Sequence, residues 1–272
     1  MRVVFAREIC VFMNIKLSDK PISSFRVLLV NDDGIEAEGL AVLEEFARKT
    51  FGDVFVVAPM HERSAQSRSI TFRQTFSVKS CGDHRYAVDG TPTDCTLFGL
   101  HHVMKDQRPD LVLSGINHGD NAGNSITYSG TFGAAFEAGL HGVPAIAFSQ
   151  LRNPDRSIEF DVARAYLGKI MDDVLSKTWD HHSVLNVNFP RKDTLSVKGI
   201  SWVPAQRSSI IGDFKVVENQ VGSWVAETVL SFPAPFDQED DVTVLHRGGV
   251  TITPIMTNWT CHSSLKKMME AV

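Results

Sequence analysis

The chain has 272 residues, 43% of them hydrophobic and 22% charged, with a net charge of -5 and a sequence pI near 6.0. This is the balance of a globular chain long enough to bury a sizeable core. It excludes a nucleic-acid or membrane surface built on bulk positive charge, but not small phosphorylated ligands. Residues 1–24 are apolar in short runs broken by Arg7 and Glu8, too interrupted for a membrane span or a signal-peptide core. They are expected to be an N-terminal extension, or to precede a later start such as Met13. Cys10, Cys81, Cys95 and Cys261 show no metal-ligand or redox spacing, so reduced thiols and a cytoplasmic placement are expected.

An apolar run at 27–30 predicts a short buried strand of a parallel sheet, and it delivers Asn31-Asp32-Asp33-Gly34 to the strand's carboxyl end. Ligands bind at that edge in open α/β sheets. Neighbouring carboxylates repel by a few kcal/mol even at an effective dielectric near 20, so two acids facing one cleft call for a cation between them. The alternative is an ordinary Asp-Gly turn with Asp33 capping the next helix.

That helix is predicted from Leu40, Leu43, Phe46 and Ala47 on one face and Glu44, Glu45, Arg48 and Lys49 on the other, with Gly52 ending it. A second strand at 53–59 completes a βαβ unit. The polar loop at 60–69 then lies on the same edge as Asp32. A hairpin is expected from 71–78 and 86–88, beside the main sheet, followed by a helix at 95–104 capped by Thr91 or Thr93. A third strand, 110–114, runs into the glycine- and amide-rich loop 115–123. Ser129, Gly130 and Thr131 open a helix of small residues whose N-terminus suits an anion. A strand at 143–148, a helix at 160–175 with Val162, Ala165, Tyr166, Ile170 and Val174 inward, and a strand at 184–187 follow. Beyond about 191 the pattern turns β-rich: strands near 197–203 and 250–255, a hairpin about Gly222, an acidic loop at 239–241, and a short helix at 264–271. The expected architecture is a Rossmann-like, mostly parallel α/β sheet with helices on both faces, as a core over 25–190 with a β-rich extension over 191–272.

Three loops from successive strand ends thus carry Asp32 and Asp33, Ser64, and Asn117. An all-oxygen set of this kind favours magnesium, manganese or calcium over zinc. Beside a helix N-terminus it points to a phosphate ester, with Asp32 or Asp33 accepting a proton from the attacking water. His118 sits in the active loop as a residue able to touch substrate or water. Arg63 and Arg68 are either phosphate-attracting or solvated loop charges. Trp202, Trp224 and Phe232 fit the core or a subunit interface better than a base-stacking platform. His101-His102 and His181-His182 lack ligand spacing.

The segments VLLVNDDG, VVAP with a following ERS, GTPTDC, DLVLSGINHGDNAG, YSGT, LNVNFP and TITP, in this order from about residue 25 to the C-terminus, closely resemble the SurE family of stationary-phase survival proteins, which are metal-dependent nucleotidases. The resemblance implies one divalent metal, magnesium or manganese, per subunit, held by Asp32, Asp33, Ser64 and Asn117. It places Asn121 and Tyr128 to Thr131, with Ser129, Gly130 and Thr131 among them, around a phosphate pocket. It further implies hydrolysis of nucleoside 5'- and 3'-monophosphates and of short polyphosphate, with no nucleic-acid polymer or membrane required. A homodimer or homotetramer with an exchanged C-terminal segment is implied as well. Glu36-Ala37-Glu38 departs from a proline often found there in the family, which bears on substrate preference.

Overall fold

The computed structural model describes residues 14–15, 17, 20–180, 183–191, 197–207, 211–220, 222–231 and 239–270. The strands are β1 Asn14–Ile15, β2 Arg26–Val30, β3 Asp53–Pro59, β4 Val78–Gly82, β5 Arg85–Val88, β6 Leu111–His118, β7 Ala145–Gln150, β8 Trp179–Asp180, β9 Ser183–Phe189, β10 Ile200–Trp202, β11 Ile211–Gln220, β12 Ser223–Ser231 and β13 Val250–Met256. The α-helices are α1 Glu38–Thr50, α2 Pro92–Phe98, α3 Gly130–Leu140, α4 Asp161–Leu175, α5 Asp241–His246 and α6 His262–Glu270.

Nine strands form one sheet in the order β10-β13-β9-β7-β6-β2-β3-β5-β4, with β13-β9 and β5-β4 its antiparallel pairs. The chain leaves β2 toward β3 on one side and later returns as β6 on the other. The carboxyl ends of β2 and β6 therefore flank the crevice where strand order reverses, the place such sheets reserve for ligands. Alternate residues of each central strand enter opposite layers. Val27, Leu29, Val56, Leu111 and Leu113 pack with Leu40, Leu43 and Ala47 of α1 and Leu167, Ile170 and Val174 of α4. Leu28, Val30, Val57 and Val112 pack with Phe132, Ala134, Ala135 and Ala138 of α3 on the other face. Continuous apolar runs are what a sheet covered on both faces requires.

Several local expectations shift. The hairpin arms are β4 and β5, not 71–78, and β5 pairs in parallel with β3, so the hairpin extends the main sheet. Glu44 is buried, bridging Arg48 of its own helix and Arg85 of β5; a charge at a half-facing helical position was drawn inward by a partner far away in sequence. Helix α4 buries Ala163, Leu167 and Met171 with Val162, Ile170 and Val174, and leaves Ala165 exposed. The acidic loop at 239–241 begins α5, with the Asp240 side chain accepting from the Thr243 N–H at 2.8 Å. The helix at 95–104 starts at Pro92, capped reciprocally by Thr91 and Asp94, and widens to a π-helical turn at Gly99–Val103.

The paired strands β11 and β12 form a ribbon apart from this sheet, turning at Gly222 as expected. Phe214 and Trp224 on it are 68% and 67% exposed, so Trp224 is not a core residue, whereas Trp202 packs against the core and donates to Asp173 at 2.7 Å. Residues 1–13, Cys10 included, His181, His182 and Phe232 lie outside the described residues. No helix among the described residues is long and apolar enough to cross a membrane.

Candidate active site at the carboxyl edge of the sheet

After β2 the chain turns on Asn31, whose Nδ2 donates to the Gly34 carbonyl at 2.8 Å, and Gly34 takes φ +104, a conformation that favours glycine. Two bonds tie the neighbouring loop to this turn: Ile35 N–H to Pro59 O at 2.8 Å and Arg63 N–H to Asp32 O at 2.7 Å. Asp33 does not cap α1. That helix starts after Ala37 without a side-chain cap, which leaves both acids to the crevice.

Asp32 is only 3% exposed. Its Oδ1 accepts a short hydrogen bond from the Thr131 hydroxyl, and that hydroxyl also lies 3.2 Å from Asn117 Oδ1. Helix α3 comes close because residue 130 has no side chain: a Cβ there would stand 2.9 Å from both Cβ and Oδ2 of Asp32. The Ser129 hydroxyl caps the helix by accepting from the Phe132 N–H at 2.9 Å, and Ser114 Oγ donates to the Thr131 carbonyl at 2.7 Å. Asp33 Oδ2 accepts from the His118 N–H at 3.1 Å, with His118 Nδ1 at 3.8 Å from the other oxygen.

Burial, then repulsion from Asp33, raises the Asp32 carboxyl to about 7, against the pull of Thr131. Burial, aided by Glu62, raises Asp33 to about 6, with the His118 N–H and the Arg152 cation opposing. Protein groups alone therefore penalise the charged forms that two adjacent acids would present near neutral pH. The donors within reach, two carboxylates and the Asn117 amide oxygen, are hard oxygens that fit a dication of the magnesium class. Among the described residues no group of three or more His, Cys, Asp or Glu gathers, so a metal would rely on this carboxylate pair plus neutral oxygens.

The structure thus brings together Asp32, Asp33, Asn117, Gly130 and Thr131, with Ser129 capping behind them. Ser64 is exposed on the loop that Arg63 ties to Asp32, and its hydroxyl donates to Glu62 at 2.7 Å. Asn121 is buried and holds the loop: its N–H donates to Asn188 Oδ1 at 2.8 Å, its Nδ2 to Ser149 Oγ at 2.8 Å, and its carbonyl accepts from Asn186 at 2.7 Å. Helix α5 adds a mooring, with Asp241 accepting from the N–H groups of Gly123, Gln206 and Val242, each at 2.8 Å. Arg63 pairs with Asp89 at 3.0 Å, and Arg68 lies 3.5 Å from Glu137 with its guanidinium over the Phe136 ring. Sequence reasoning passed over Glu62, Arg152, Asn186, Asn188 and Asp241. The paired asparagines inside an otherwise apolar strand were the visible signal for two of them, since buried amides need partners.

Comparison with known proteins shows the family. The family described as Survival protein SurE matches residues 27–211. The chain is 39% identical over 252 residues to a protein named 5'-nucleotidase SurE from Paramagnetospirillum magneticum, covering 92% of this chain and 96% of that one. A 5'-nucleotidase SurE from Rhizorhabdus wittichii is 38% identical over 248 residues, covering 88% and 96%. The crystal structure of the SurE protein from Aquifex aeolicus superposes with a TM-score of 0.77 at 31% identity, covering 90% of this chain and 99% of that one. The matched family model, the relatives and the shared fold together show that this chain belongs to the Survival protein SurE family.

Proposed function

We propose that this protein is a phosphoric monoester hydrolase of the 5'-nucleotidase type, which removes phosphate from nucleoside 5'- and 3'-monophosphates and from short polyphosphate with one divalent metal ion per subunit. The observation that carries this reading is the juxtaposition of the Asp32–Asp33 pair with the N-terminus of α3. Acids and an anion-binding helix end are adjacent to good effect when a dication and a phosphate complete the charge balance. The printed names of the relatives support the same reaction class.

Asp32, Asp33, Asn117 and Ser64 are the residues that would hold magnesium or manganese. Ser64 joins that set once its hydroxyl leaves Glu62. When bound, the metal supplies Lewis acidity at a phosphoryl oxygen and makes water more acidic. The chain's own groups do the rest. The start of α3 at Ser129, Gly130 and Thr131 would meet the phosphate oxygens chiefly through the Gly130 N–H, since the Ser129 N–H is held by the Ile126 carbonyl and that of Thr131 by Asp32, and Asn121 fixes the neighbouring loop. Asp32 or Asp33 accepts the proton of the attacking water. His118, whose imidazole burial and Arg152 hold below its usual range, stays neutral near pH 7 and backs Asp33.

The apolar β11-β12 ribbon and the exposed face of α6 support assembly into a homodimer or homotetramer through the 191–272 extension, in the cytoplasm. Purified protein assayed with a panel of nucleoside monophosphates, with manganese or magnesium and with chelator, tests the reaction. Phosphate release that needs the metal and vanishes in Asp33→Asn is the expected result. Absence of metal-dependent release from every substrate would refute the proposal.

A further inference from the structure

We propose that Arg152 binds the phosphate group of the substrate, as the cation that completes the crevice opposite Asp33. This rests on the phosphatase reading above. Arg152 follows β7 by two residues, at the same carboxyl edge that carries Asp32 and Asn117. Its head lies over the active loop: a Cβ built on Gly119 would stand 3.3 Å from Arg152 Nε and 3.8 Å from Asn117 Nδ2. The guanidinium and the Asn117 amide therefore border one small space. The backbone beneath is pinned, because Arg191 Nε donates to the Arg152 carbonyl at 2.8 Å.

The two arginines of the neighbouring 60–69 loop are committed elsewhere. Arg63 is held by Asp89, and Arg68 by Glu137 and the Phe136 ring. The Arg152 side chain makes no hydrogen bond or close ion pair among the described residues, although its field reaches Asp33 and His118. An unpaired, exposed arginine is often just a solvated charge. What distinguishes this one is its place over the loop and the charge count. Two carboxylates balance a dication, yet a phosphate monoester brings close to two further negative charges at neutral pH. A planar guanidinium, with donors matched to phosphate oxygens and no competing acid bound, is the group suited to meet them.

Calorimetric titration of inorganic phosphate into the manganese-loaded full-length protein tests this, using wild type, Arg152→Met and Arg152→Lys, with manganese affinity measured alongside. Arg152→Met is expected to bind phosphate about 10- to 100-fold more weakly, the range for a lost charge-assisted contact. Lysine should restore part of that loss, and manganese affinity should stay within about twofold. With a nucleoside monophosphate, KM should rise more than kcat falls. Phosphate affinity unchanged within twofold in Arg152→Met, no phosphate binding by wild type, or an equal loss of manganese affinity would each overturn the proposal. Wild-type protein that bound phosphate through Arg152 but released none from any nucleotide would refute the phosphatase reading and leave this one standing.

Discussion

Without metal, the carboxylate pair should cost the folded protein stability as the pH rises, and replacing Asp33 by Asn should return it. Asp32 titrates at about 7 in the folded chain against an ordinary 3.8, and Asp33 at about 6. Between pH 4 and 7 the folded state therefore holds protons that the unfolded state has lost. The slope of unfolding free energy with pH from these groups is negative, and their cost is complete above pH 7 and absent below pH 4. At about 1.4 kcal/mol per unit, the Asp32 shift alone is worth roughly 4 kcal/mol. His118 and His246, whose values desolvation lowers, contribute in the opposite sense, while Asp120 and Asp241, whose values desolvation raises, contribute in the same sense. The comparison with Asp33→Asn isolates the pair from this background.

Asparagine keeps an oxygen for the His118 N–H and removes both the buried charge and its repulsion on Asp32. In chelator at pH 8 the variant should be more stable than wild type by about 2–3 kcal/mol, or roughly 5–10 °C in Tm for a chain of this size. At pH 5 that gain should shrink to about half. Manganese should cancel that advantage, stabilising wild type at pH 8 by about 3 kcal/mol at a hundred times its dissociation constant and leaving the variant unmoved. Urea or thermal unfolding at the two pH values, with and without metal, reads all four states. A metal-free Asp33→Asn protein less stable than wild type at pH 8 would refute the electrostatic reasoning.

Thr131→Val removes the hydroxyl donor on buried Asp32 and should cost about 1–3 kcal/mol of stability, with loss of turnover, measured by unfolding and phosphate release. Gly130→Ala puts a methyl 2.9 Å from Asp32 Oδ2 and 3.1 Å from Pro92, so about 1–3 kcal/mol of overpacking should appear in Tm, together with weaker manganese binding. Gly168→Ala is the contrasting case: in α4 its Cβ would meet nothing closer than Phe46 at 4.0 Å, so Tm should rise, by about 0.5–1 kcal/mol of stability, with activity unchanged. Shortening the β11-β12 ribbon to a tight turn should lower the assembly state in sedimentation, since Phe214 and Trp224 then no longer seek a partner.

Much of the fold was legible in the chain because its signals are local. Buried parallel strands read as unbroken apolar runs, α1 shows its periodicity, and turn residues stand at each strand end, which by itself puts the loops carrying Asp32, Ser64 and Asn117 on one edge. The choice between a capping and a crevice role for Asp33 was not legible, because it depends on α1 starting only after Ala37. Tertiary structure alone decided which groups meet across long separations: Thr131 on Asp32, Arg85 on Glu44, Asp241 on Gly123, Arg152 above Gly119. Each of those pairs is set by strand order and by how closely a helix approaches the sheet. Burial then determines their energetics, since it is low dielectric surroundings that lift the two carboxyls.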